Sequence, residues 1–272
     1  MVELTALAAV GAQHPKVKLV LALQRNTVPN GQQLFVAEGL WANNAVLAAK
    51  APVHCFLYCP EAGYSDEARL RAAQLAERAT QAFQVSEKTF ARISERDRPD
   101  GLLSISQLPH WTPDAVPIAD DGLILVADGL EIPGNLGTLI RTLDGCAADC
   151  LVLTNRRTRL THPKVLRGSH GATLTVPTVE FAEPAEAIHW LRALGSTVYL
   201  ADTDEATSYR HVDYSGRTAI VVGSERFGIA KPWYEHGFAR ICVPMLGAGD
   251  SLNVSVSASV LLYEARAAKL GW

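Results

Sequence analysis

Three short segments in the second half of the sequence contain side chains that can bind or orient a reactant. They are residues 135–141, 223–228 and 241–258, and each begins at or just after an apolar stretch. Amides, hydroxyls and carboxylates can hydrogen-bond a substrate, and an arginine can hold an anion such as phosphate. Glycines let the backbone approach a ligand closely. The three segments are therefore candidates for parts of one binding or catalytic site.

Each segment also has a structural interpretation that needs no ligand. Asn135 can cap a helix with Arg141 in solvent, and residues 223–228 can form a turn that leads into a helix. The small residues that follow Ser255 can serve close helix packing. A dinucleotide-dependent oxidoreductase is disfavoured, because Gly134-x-x-Gly137 lacks the G-x-G-x-x-G spacing and no acidic residue ends a neighbouring strand in the required manner.

The sequence around these segments alternates between apolar strands and helices. Strands are predicted at residues 123–127, 151–153, 198–201, 219–222 and 241–243, and helices at residues 134–143, 184–194 and 255–270. Continuous apolar strands are typical of a parallel sheet buried on both faces. The sequence therefore predicts a doubly wound α/β domain over residues 122–272, in which ligands bind beyond the carboxyl ends of the strands, where the three segments lie.

The first part of the chain predicts a separate, smaller α/β domain over residues 1–106. Its helices are predicted at residues 15–24, 41–49, 65–79 and 86–93, and its strands at residues 33–38, 53–58, 83–85 and 102–105. Residues 107–121 contain three prolines and three aspartates without a helical or strand period. They predict a linker between the two domains.

The composition excludes several classes of protein. Of 272 residues, 48% are hydrophobic and 19% are charged, which rules out a mainly disordered chain. No run of about 18 uncharged apolar residues occurs, so no membrane span is predicted. Glu3 and the lack of a basic leader argue against a signal peptide, and an odd count of five cysteines then fits a reducing cytoplasm.

Two cysteine pairs, Cys55 with Cys59 and Cys146 with Cys150, have a C-x3-C spacing that can begin a metal site. No histidine or further cysteine lies at a regular ligand spacing, and the pairs lie in or beside apolar runs. Because free cysteines are among the most buried residue types, we expect buried thiols and no metal.

Taken together, the three segments resemble the SPOUT class of methyltransferases, specifically its SpoU/TrmH branch. Asn135-x-Gly137-x-x-x-Arg141 resembles the first motif of that branch, and Gly223-Ser224-Glu225-x-x-Gly228 resembles the second. The third motif is resembled in three places along the chain, which are residues 241–245, residues 251–255 and Tyr263-Glu264. Each motif alone is weak, but the three in this order are highly specific.

The N-terminal part resembles the substrate-binding domain that many SpoU enzymes carry, a small RNA-binding α/β fold shared with some ribosomal proteins. Residues 14–18, 35–39, 85–88 and 99–102 carry this resemblance. The family often has glutamine where this chain has Asp100. The likeness thus covers almost the whole chain.

Family membership implies a fold, a cofactor and a reaction. The C-terminal domain is expected to hold a deep trefoil knot whose loops bind S-adenosylmethionine in a bent conformation. The protein is expected to act as a homodimer, with the site near the subunit interface. The implied reaction is methyl transfer to a ribose 2′-hydroxyl of RNA, and no metal is needed because the sulfonium is already a good leaving group.

The motif match assigns candidate roles residue by residue. Arg141 is the candidate catalytic residue, either as a general base or as a clamp on an RNA phosphate. A guanidinium keeps its proton up to a pH of about 12, which makes the base role costly, and the sequence leaves both roles open. Supporting roles fall to Asn135, Glu225, Ser251 and Asn253. The cofactor is expected to touch Gly223, Ser224, Glu225, Val243, Leu246, Ser251, Leu252 and Asn253.

The net charge gives little support for an RNA partner. Lys and Arg number 25 against 28 Asp and Glu, so 25 − 28 = −3, with 11 − 10 = +1 in residues 1–106 and 14 − 18 = −4 in the rest. Local positive charge is still present, either as a solvated surface or as an RNA contact. The candidate RNA-binding residues are Lys16, Lys18, Arg25, Arg156, Arg157, Arg159, Lys164, Arg167 and His170. Trp41 and Trp111 can stack on bases or anchor the core or the linker.

The resulting hypothesis is a 2′-O-ribose methyltransferase, with 23S ribosomal RNA favoured as substrate because family enzymes with a separate substrate domain often modify ribosomal RNA. Some such enzymes confer resistance to ribosome-directed antibiotics. The alternatives are a tRNA 2′-O-ribose methyltransferase and an RNA-binding homologue that has lost catalysis. The intact Asn135, Arg141 and Glu225 argue against the last of these.

Overall fold

The computed structural model describes residues 3–63, 65–204 and 206–272. The chain divides into two compact units. The first is Met1–Pro109 with Leu160–Pro163, and the second is His110–Arg159 with Lys164–Trp272. The first unit therefore includes four residues that lie far along the sequence from the rest of it.

The first unit is built on a mixed sheet. Its elements are β1 (Ala8–Ala9), α1 (Pro15–Gln24), β2 (Leu34–Glu38), α2 (Gly39–Ala48), β3 (Val53–Tyr58), α3 (Asp66–Arg78), β4 (Ala82–Gln84), α4 (Glu87–Phe90) and β5 (Leu102–Gln107). The strand order is β1-β4-β3-β5-β2, with β5 antiparallel to both of its neighbours. The predicted small α/β fold is confirmed.

Three helices of this unit, α1, α3 and α4, begin at a residue whose side chain caps them, whereas α2 has no such cap. Ser65 accepts a hydrogen bond from the backbone N–H of Ala68, and Ser86 accepts one from that of Thr89. The core lies between α1 and the sheet, where Val17 and Val20 are buried with the strand residues on that face. Capping and burial together explain why these helix starts were predictable.

The second unit is built on a parallel sheet. Its elements are β6 (Leu123–Asp128), α5 (Pro133–Gly145), β7 (Cys150–Thr154), α6 (Pro163–Ser169), β8 (Thr178–Glu180), α7 (Pro184–Ala193), β9 (Thr197–Ala201), β10 (Thr207–Ser208), β11 (Thr218–Val222), α8 (Lys231–Tyr234), β12 (Ala239–Cys242) and α9 (Val254–Leu270). The described strands run in the order β10-β12-β9-β11-β6-β7-β8, and every pair is parallel. The predicted parallel sheet is confirmed, while β8, β10, α6 and α8 were not predicted.

The centre of this sheet is apolar along its whole length. Every residue of β6, β7 and β11 is buried, as expected for strands covered on both faces. Because β11 lies between β6 and β9, and β12 lies beside β9, the carboxyl ends of these four strands share one edge. This edge is where two of the candidate segments begin.

Residues 108–121 have neither helix nor strand but are not loosely attached. Val116 is buried in the core of the second unit, and Trp111 and Ile118 pack against that core. Arg217 donates hydrogen bonds to the carbonyl of Ala119 at 3.0 Å and to the carboxylate of Asp120 at 2.6 Å. Trp111 therefore acts as an anchor of this segment. Among the described residues, no helix is long and apolar enough to cross a membrane.

Candidate active site

A cavity of about 520 Å³ opens at the carboxyl ends of β9, β11 and β12 in the second unit. One group of lining residues is apolar and includes Val222, Ile229, Ile241, Val243, Leu252 and Leu261. A second group is polar and includes Asp202, Ser224, Glu225, Ser251 and Asn253. Apolar side chains combined with a small number of placed polar groups are the usual character of a small-molecule site.

The carboxylate of Glu225 ties the second motif segment to the first. It accepts a hydrogen bond from Asn135 Nδ2 at 2.7 Å and others from the backbone N–H groups of Glu131 at 3.1 Å and Ile132 at 3.3 Å. Ile132 is the residue that precedes α5. The carboxylate therefore holds the backbone that enters this helix, where a negative charge also interacts favourably with the helix dipole.

Asn253 extends the same hydrogen-bond network to the third segment. Its Nδ2 donates to Asn135 Oδ1 at 3.2 Å, and its Oδ1 accepts from the N–H and hydroxyl of Ser255 at 2.9 and 2.6 Å. The interpretation of Asn135 as a helix cap is wrong, because α5 begins at Pro133 and Asn135 lies inside its first turn. Asn253, in contrast, caps α9.

The environment of Glu225 keeps it ionised. Burial raises the pKa of this carboxyl, but the hydrogen bonds from Asn135 and from the backbone stabilise the charged form more strongly, so the pKa lies below its usual value of 4.5. A carboxylate with a lowered pKa is a poor proton acceptor. We conclude that Glu225 orients Asn135 and the start of α5.

The turn that presents Glu225 requires glycine at its first position. Ser224 and Gly228 exchange backbone hydrogen bonds at 3.0 and 3.1 Å, which closes a tight loop. A Cβ atom on Gly223 would overlap the backbone of Gly228 and Ile229. The glycine is therefore needed for the turn itself, independently of any ligand.

Asp128 is a further residue of the site that the sequence did not indicate, and it holds two neighbouring loops in place. This buried carboxylate ends β6 and accepts hydrogen bonds from Thr154 Oγ1 at 2.8 Å, Asn155 Nδ2 at 2.7 Å and the backbone N–H of Ala230 at 2.8 Å. It links the end of β7 to the segment that follows the Glu225 turn. The signal that could have revealed it is an acidic residue directly after five apolar residues.

The loop between β12 and α9 has an unusual backbone. Within the part of the chain that the structure describes, residues 243–252 take part in no backbone–backbone hydrogen bond. Val243, Met245, Ser251 and Leu252 from this loop line the cavity. Because backbone polar groups need partners, these N–H and C=O groups are open to a ligand or to water.

Most of the predicted cofactor residues come together at the cavity. Gly223, Ser224, Glu225, Val243, Ser251, Leu252 and Asn253 line it, whereas Leu246 does not and has a 99% exposed side chain. Residues that the sequence analysis did not select include Ile132, Asp202, Thr203, Tyr234 and Met245. Asp202 and Thr203 directly follow β9, so the rule that ligands bind beyond strand ends could have found them.

Arg141 lies apart from the cavity of its own chain. It is on the exposed side of α5, and within the described residues it has no ion pair or hydrogen bond. Six residues of α-helix correspond to about 600° of rotation, which turns Arg141 about 120° away from Asn135. Thr142 lies on the Asn135 side instead, and its hydroxyl hydrogen-bonds that of Ser259 on α9 at 2.9 Å.

The predicted RNA-binding residues are mostly at the surface. Arg156 and Arg157 are exposed directly after β7, and Arg156 pairs with Glu180 at 2.8 Å. Arg159 is half-buried. Lys18 and Arg25 in the first unit are also exposed, as are Lys164, Arg167 and His170 in the second, while Lys16 is half-buried. Trp41 is 51% exposed on α2.

Four of the five cysteines are buried, as predicted. Burial raises the pKa of the Cys55 thiol to about 11 and that of Cys150 to about 12, so neither is a nucleophile at neutral pH. Cys242 is partly exposed and lines the cavity. No group of three or more His, Cys, Asp or Glu within the described residues is placed to hold a metal ion.

The parallel sheet, the strand-end cavity and the polar connection between three sequence segments define an α/β protein with a small-molecule site beside a glycine turn. Comparison with known proteins then identifies the family. Residues 122–263 match the SpoU rRNA methylase family, and residues 14–104 match an MRM3-like substrate binding domain. The chain belongs to the SpoU rRNA methylase family.

Individual relatives support the same family. The chain is 30% identical over 186 residues to a 23S rRNA (guanosine(2553)-2′-O)-methyltransferase of Bacillus subtilis, covering 68% of this chain and 73% of that protein. It is 28% identical over 224 residues to a 23S rRNA (uridine(2479)-2′-O)-methyltransferase of Streptomyces viridochromogenes, covering 79% and 76%. A crystal structure of an AdoMet-bound rRNA methyltransferase from Sinorhizobium meliloti superposes with a TM-score of 0.85 at 26% identity, covering 95% and 97%.

Proposed function

We propose that this protein transfers a methyl group from S-adenosylmethionine to a ribose 2′-hydroxyl of 23S ribosomal RNA. The observation that carries the proposal is the hydrogen-bond network that joins Glu225, Asn135 and Asn253 at the cavity. These residues come from the three motifs that the family shares. The relatives from Bacillus subtilis and Streptomyces viridochromogenes are named as 2′-O-methyltransferases of this RNA.

The cavity fits the proposed cofactor. Its volume of about 520 Å³ is in the range of small-molecule sites. Apolar side chains such as Ile241, Val243 and Leu252 can enclose an adenine ring, and the open backbone groups of residues 243–252 can hydrogen-bond its edge. When bound, S-adenosylmethionine supplies an activated methyl group, because its sulfonium sulfur is a good leaving group without help from a metal.

The chain's own residues would hold and orient the RNA nucleotide. Arg141, with its exposed guanidinium, is suited to grip a phosphate next to the target ribose. Asn135 is buried and held by Glu225 on one side and Asn253 on the other, so it keeps the three segments in a fixed arrangement. Holding two reactants in line supplies much of the rate increase that a methyl transfer needs. The proton of the ribose 2′-hydroxyl would pass to Arg141 as general base or, with Arg141 acting only as a phosphate clamp, to solvent water.

A homodimer would complete this site. Arg141 is exposed and outside the cavity lining of its own chain, and large apolar side chains are exposed at Phe227 (81%), Val256 (49%) and Tyr263 (47%). A second copy that covers these side chains can bring its Arg141 to this cavity. Sedimentation is expected to give twice the mass of the chain. Val256 lies on α9, so a Val256→Glu variant that stays dimeric would contradict the placement of the interface at α9.

We also propose that residues 223–255 thread through the fold as a deep trefoil knot. The chain runs from β11 past β9 to β12, and α9 then packs back against α5, β6 and β11. The return of the chain to α5 and β6 supports the knot that the family resemblance leads one to expect. The protein is also proposed to work in the cytoplasm, a reducing compartment that suits its five free cysteines.

Methyl transfer can be measured directly on RNA. We expect labelled S-adenosylmethionine to methylate 23S ribosomal RNA at one ribose, mapped by resistance of the next phosphodiester bond to alkali. Arg141→Ala should lower the rate by about 10²-fold or more, whereas Arg69→Ala, an exposed arginine of the first unit, should not. Methylation of tRNA but not of 23S ribosomal RNA would contradict the proposed substrate and favour the tRNA alternative. RNA binding without transfer to any RNA would favour the inactive homologue.

A further inference from the structure

A second carboxylate lines the cavity and is not used by the network around Glu225. Asp202 directly follows β9 and is half-buried. Pairing places Leu200 beside Val221 on β11 and Ala201 beside Ile241 on β12. Continuing the register of β9 with β11 by two residues puts Asp202 level with Gly223. Adjacent strands lie about 4.8 Å apart, so the backbone of Asp202 lies about one strand spacing from that of the glycine turn.

The orientation of this carboxylate is fixed by three donors. Tyr234 on α8 donates its hydroxyl to Asp202 Oδ2 at 2.8 Å, and the backbone N–H groups of Thr203 and Asp204 donate to Oδ1 at 2.7 and 3.2 Å. Burial and the hydrogen bond to Asp202 raise the pKa of Tyr234 to about 12, so the tyrosine remains a donor. A carboxylate has about four acceptor positions, which leaves capacity for a ligand.

The chemistry of the cavity restricts what this ligand group can be. Within the described residues, Asp202 has no ion pair, and no lysine, arginine or histidine lines the cavity. An amino-acid head group would offer its ammonium to Asp202 but would leave its own carboxylate without a cation. Two hydroxyls on neighbouring carbons are neutral donors. One of these hydroxyls can use the acceptor position that Asp202 has left, and no cation is needed nearby.

We propose that Asp202, held by Tyr234, accepts a hydrogen bond from a ribose hydroxyl of the adenosine part of the cofactor. An acidic residue after one strand, beside a glycine turn on the neighbouring strand, is a recurrent arrangement for reading a ribose in parallel α/β sheets. The assignment rests on the proposed function, because it presumes that S-adenosylmethionine occupies this cavity. Asp202 then contacts the cofactor, and Tyr234 is a positioning residue.

Calorimetric binding of S-adenosylhomocysteine to the full chain tests the assignment without requiring catalysis. Asp202→Asn is expected to weaken binding by about tenfold or more, the usual effect of losing a hydrogen bond to a charged group. Asp204→Asn is the matched control, because this exposed neighbour does not line the cavity. Equal affinity of wild type and Asp202→Asn would overturn the assignment.

Two further ligands separate the ribose from the amino-acid head. The 2′,3′-dideoxyribose analogue of S-adenosylhomocysteine should bind wild type and Asp202→Asn equally, whereas 5′-methylthioadenosine, which lacks the head group, should retain the full difference. The opposite pattern would show that Asp202 binds the ammonium and would overturn the proposal. If wild type bound neither S-adenosylhomocysteine nor methylthioadenosine, the proposed cofactor itself would be wrong and this assignment would fall with it.

The role of Tyr234 is tested by combining variants. Tyr234→Phe should weaken binding of S-adenosylhomocysteine about threefold. In the double variant with Asp202→Asn it should add little, because both changes remove one coupled pair. Fully additive losses would show that Tyr234 acts independently of Asp202. Melting temperatures of all variants confirm folding.

Discussion

Glu225 accepts hydrogen bonds from a side chain 90 positions earlier and from the backbone that enters α5. The carboxylate therefore holds distant parts of the site together, in addition to any role in its chemistry. The same is true of Asp128 beneath it, which gathers donors from β7 and from the loop after the Glu225 turn. At the scale of single residues, carboxylates fix the loops that the family motifs occupy.

Replacing Glu225 by glutamine should reduce stability in a pH-dependent way. The pKa of the folded state is lowered from 4.5, so this group stabilises the fold above that pH and loses its effect as the pH falls through the lowered value. Urea unfolding should show wild type more stable than Glu225→Gln at neutral pH, with the difference shrinking in acid. Glu235→Gln, an exposed control, should show no such trend. A constant difference across the pH range would contradict this assignment of charge.

Thiol labelling should distinguish one cysteine from the other four. Cys242 is partly exposed in the cavity, whereas Cys55, Cys59, Cys146 and Cys150 are buried with raised pKa values. A thiol-specific reagent should therefore modify one group quickly in the native protein and the others only after unfolding. S-adenosylhomocysteine should slow the fast reaction, and Cys242→Ser should remove it. Fast labelling that the ligand does not affect would separate Cys242 from the proposed cofactor site.

Close contact between α5 and α6 depends on a pair of glycines. A Cβ on Gly137 would lie 2.8 Å from the carbonyl oxygen of Val165 and 3.0 Å from the Cα of Gly168. The glycine of the first motif is thus explained by helix packing. It allows α6 to lie against the helix that carries Asn135 and Arg141.

Alanine at two positions of α5 should have opposite effects. Gly137→Ala should lower the free energy of unfolding by about 1–3 kcal/mol, because backbone atoms must separate to make room. Gly134→Ala on the same helix meets no atom within 4 Å and should be neutral or stabilising by up to about 1 kcal/mol. Chemical denaturation of both variants measures the difference. Similar losses in the two would mean that the helices are not in close contact.

The sequence was most informative where elements are long and apolar. β3, β6 and β11 could be placed within a residue because continuous burial leaves a continuous apolar run. β8 and β10 were missed because three- and two-residue strands are too short to show a period. The alternative interpretation of Asn135 as a cap was wrong because its partner Glu225 is distant in sequence, and Asp202 was missed because it belongs to no motif.

Each unit of the molecule carries part of the positive charge expected at an RNA surface. The chain as a whole has a net charge of −3, so its attraction to RNA must come from local groups. Arg156 and Arg157 illustrate the difference that a neighbour makes. Arg156 is paired with Glu180, whereas Arg157 is exposed without an ion pair in the described part of the chain.

RNA affinity measured against salt should separate these two arginines. Arg157→Ala should reduce the slope of log affinity against log salt by about 1, as expected for the loss of one phosphate contact. Arg156→Ala should change it less, because Glu180 already offsets that charge. Binding of S-adenosylhomocysteine should be unaffected in both. An unchanged slope in Arg157→Ala would show that this arginine does not contact an RNA phosphate.

The backbone of residues 243–252, open in the free protein, links the methyl donor to the durability of the fold. A ligand that hydrogen-bonds these groups binds only the folded state, so its binding increases the free energy of unfolding. The amides of this loop should exchange with deuterium rapidly without ligand and slowly with S-adenosylhomocysteine, while exchange in β6 stays the same. Protection that ignores the ligand would contradict this. The survival of the protein in a cell would then follow its supply of methyl donor, so that the enzyme lasts longest when it has something to transfer.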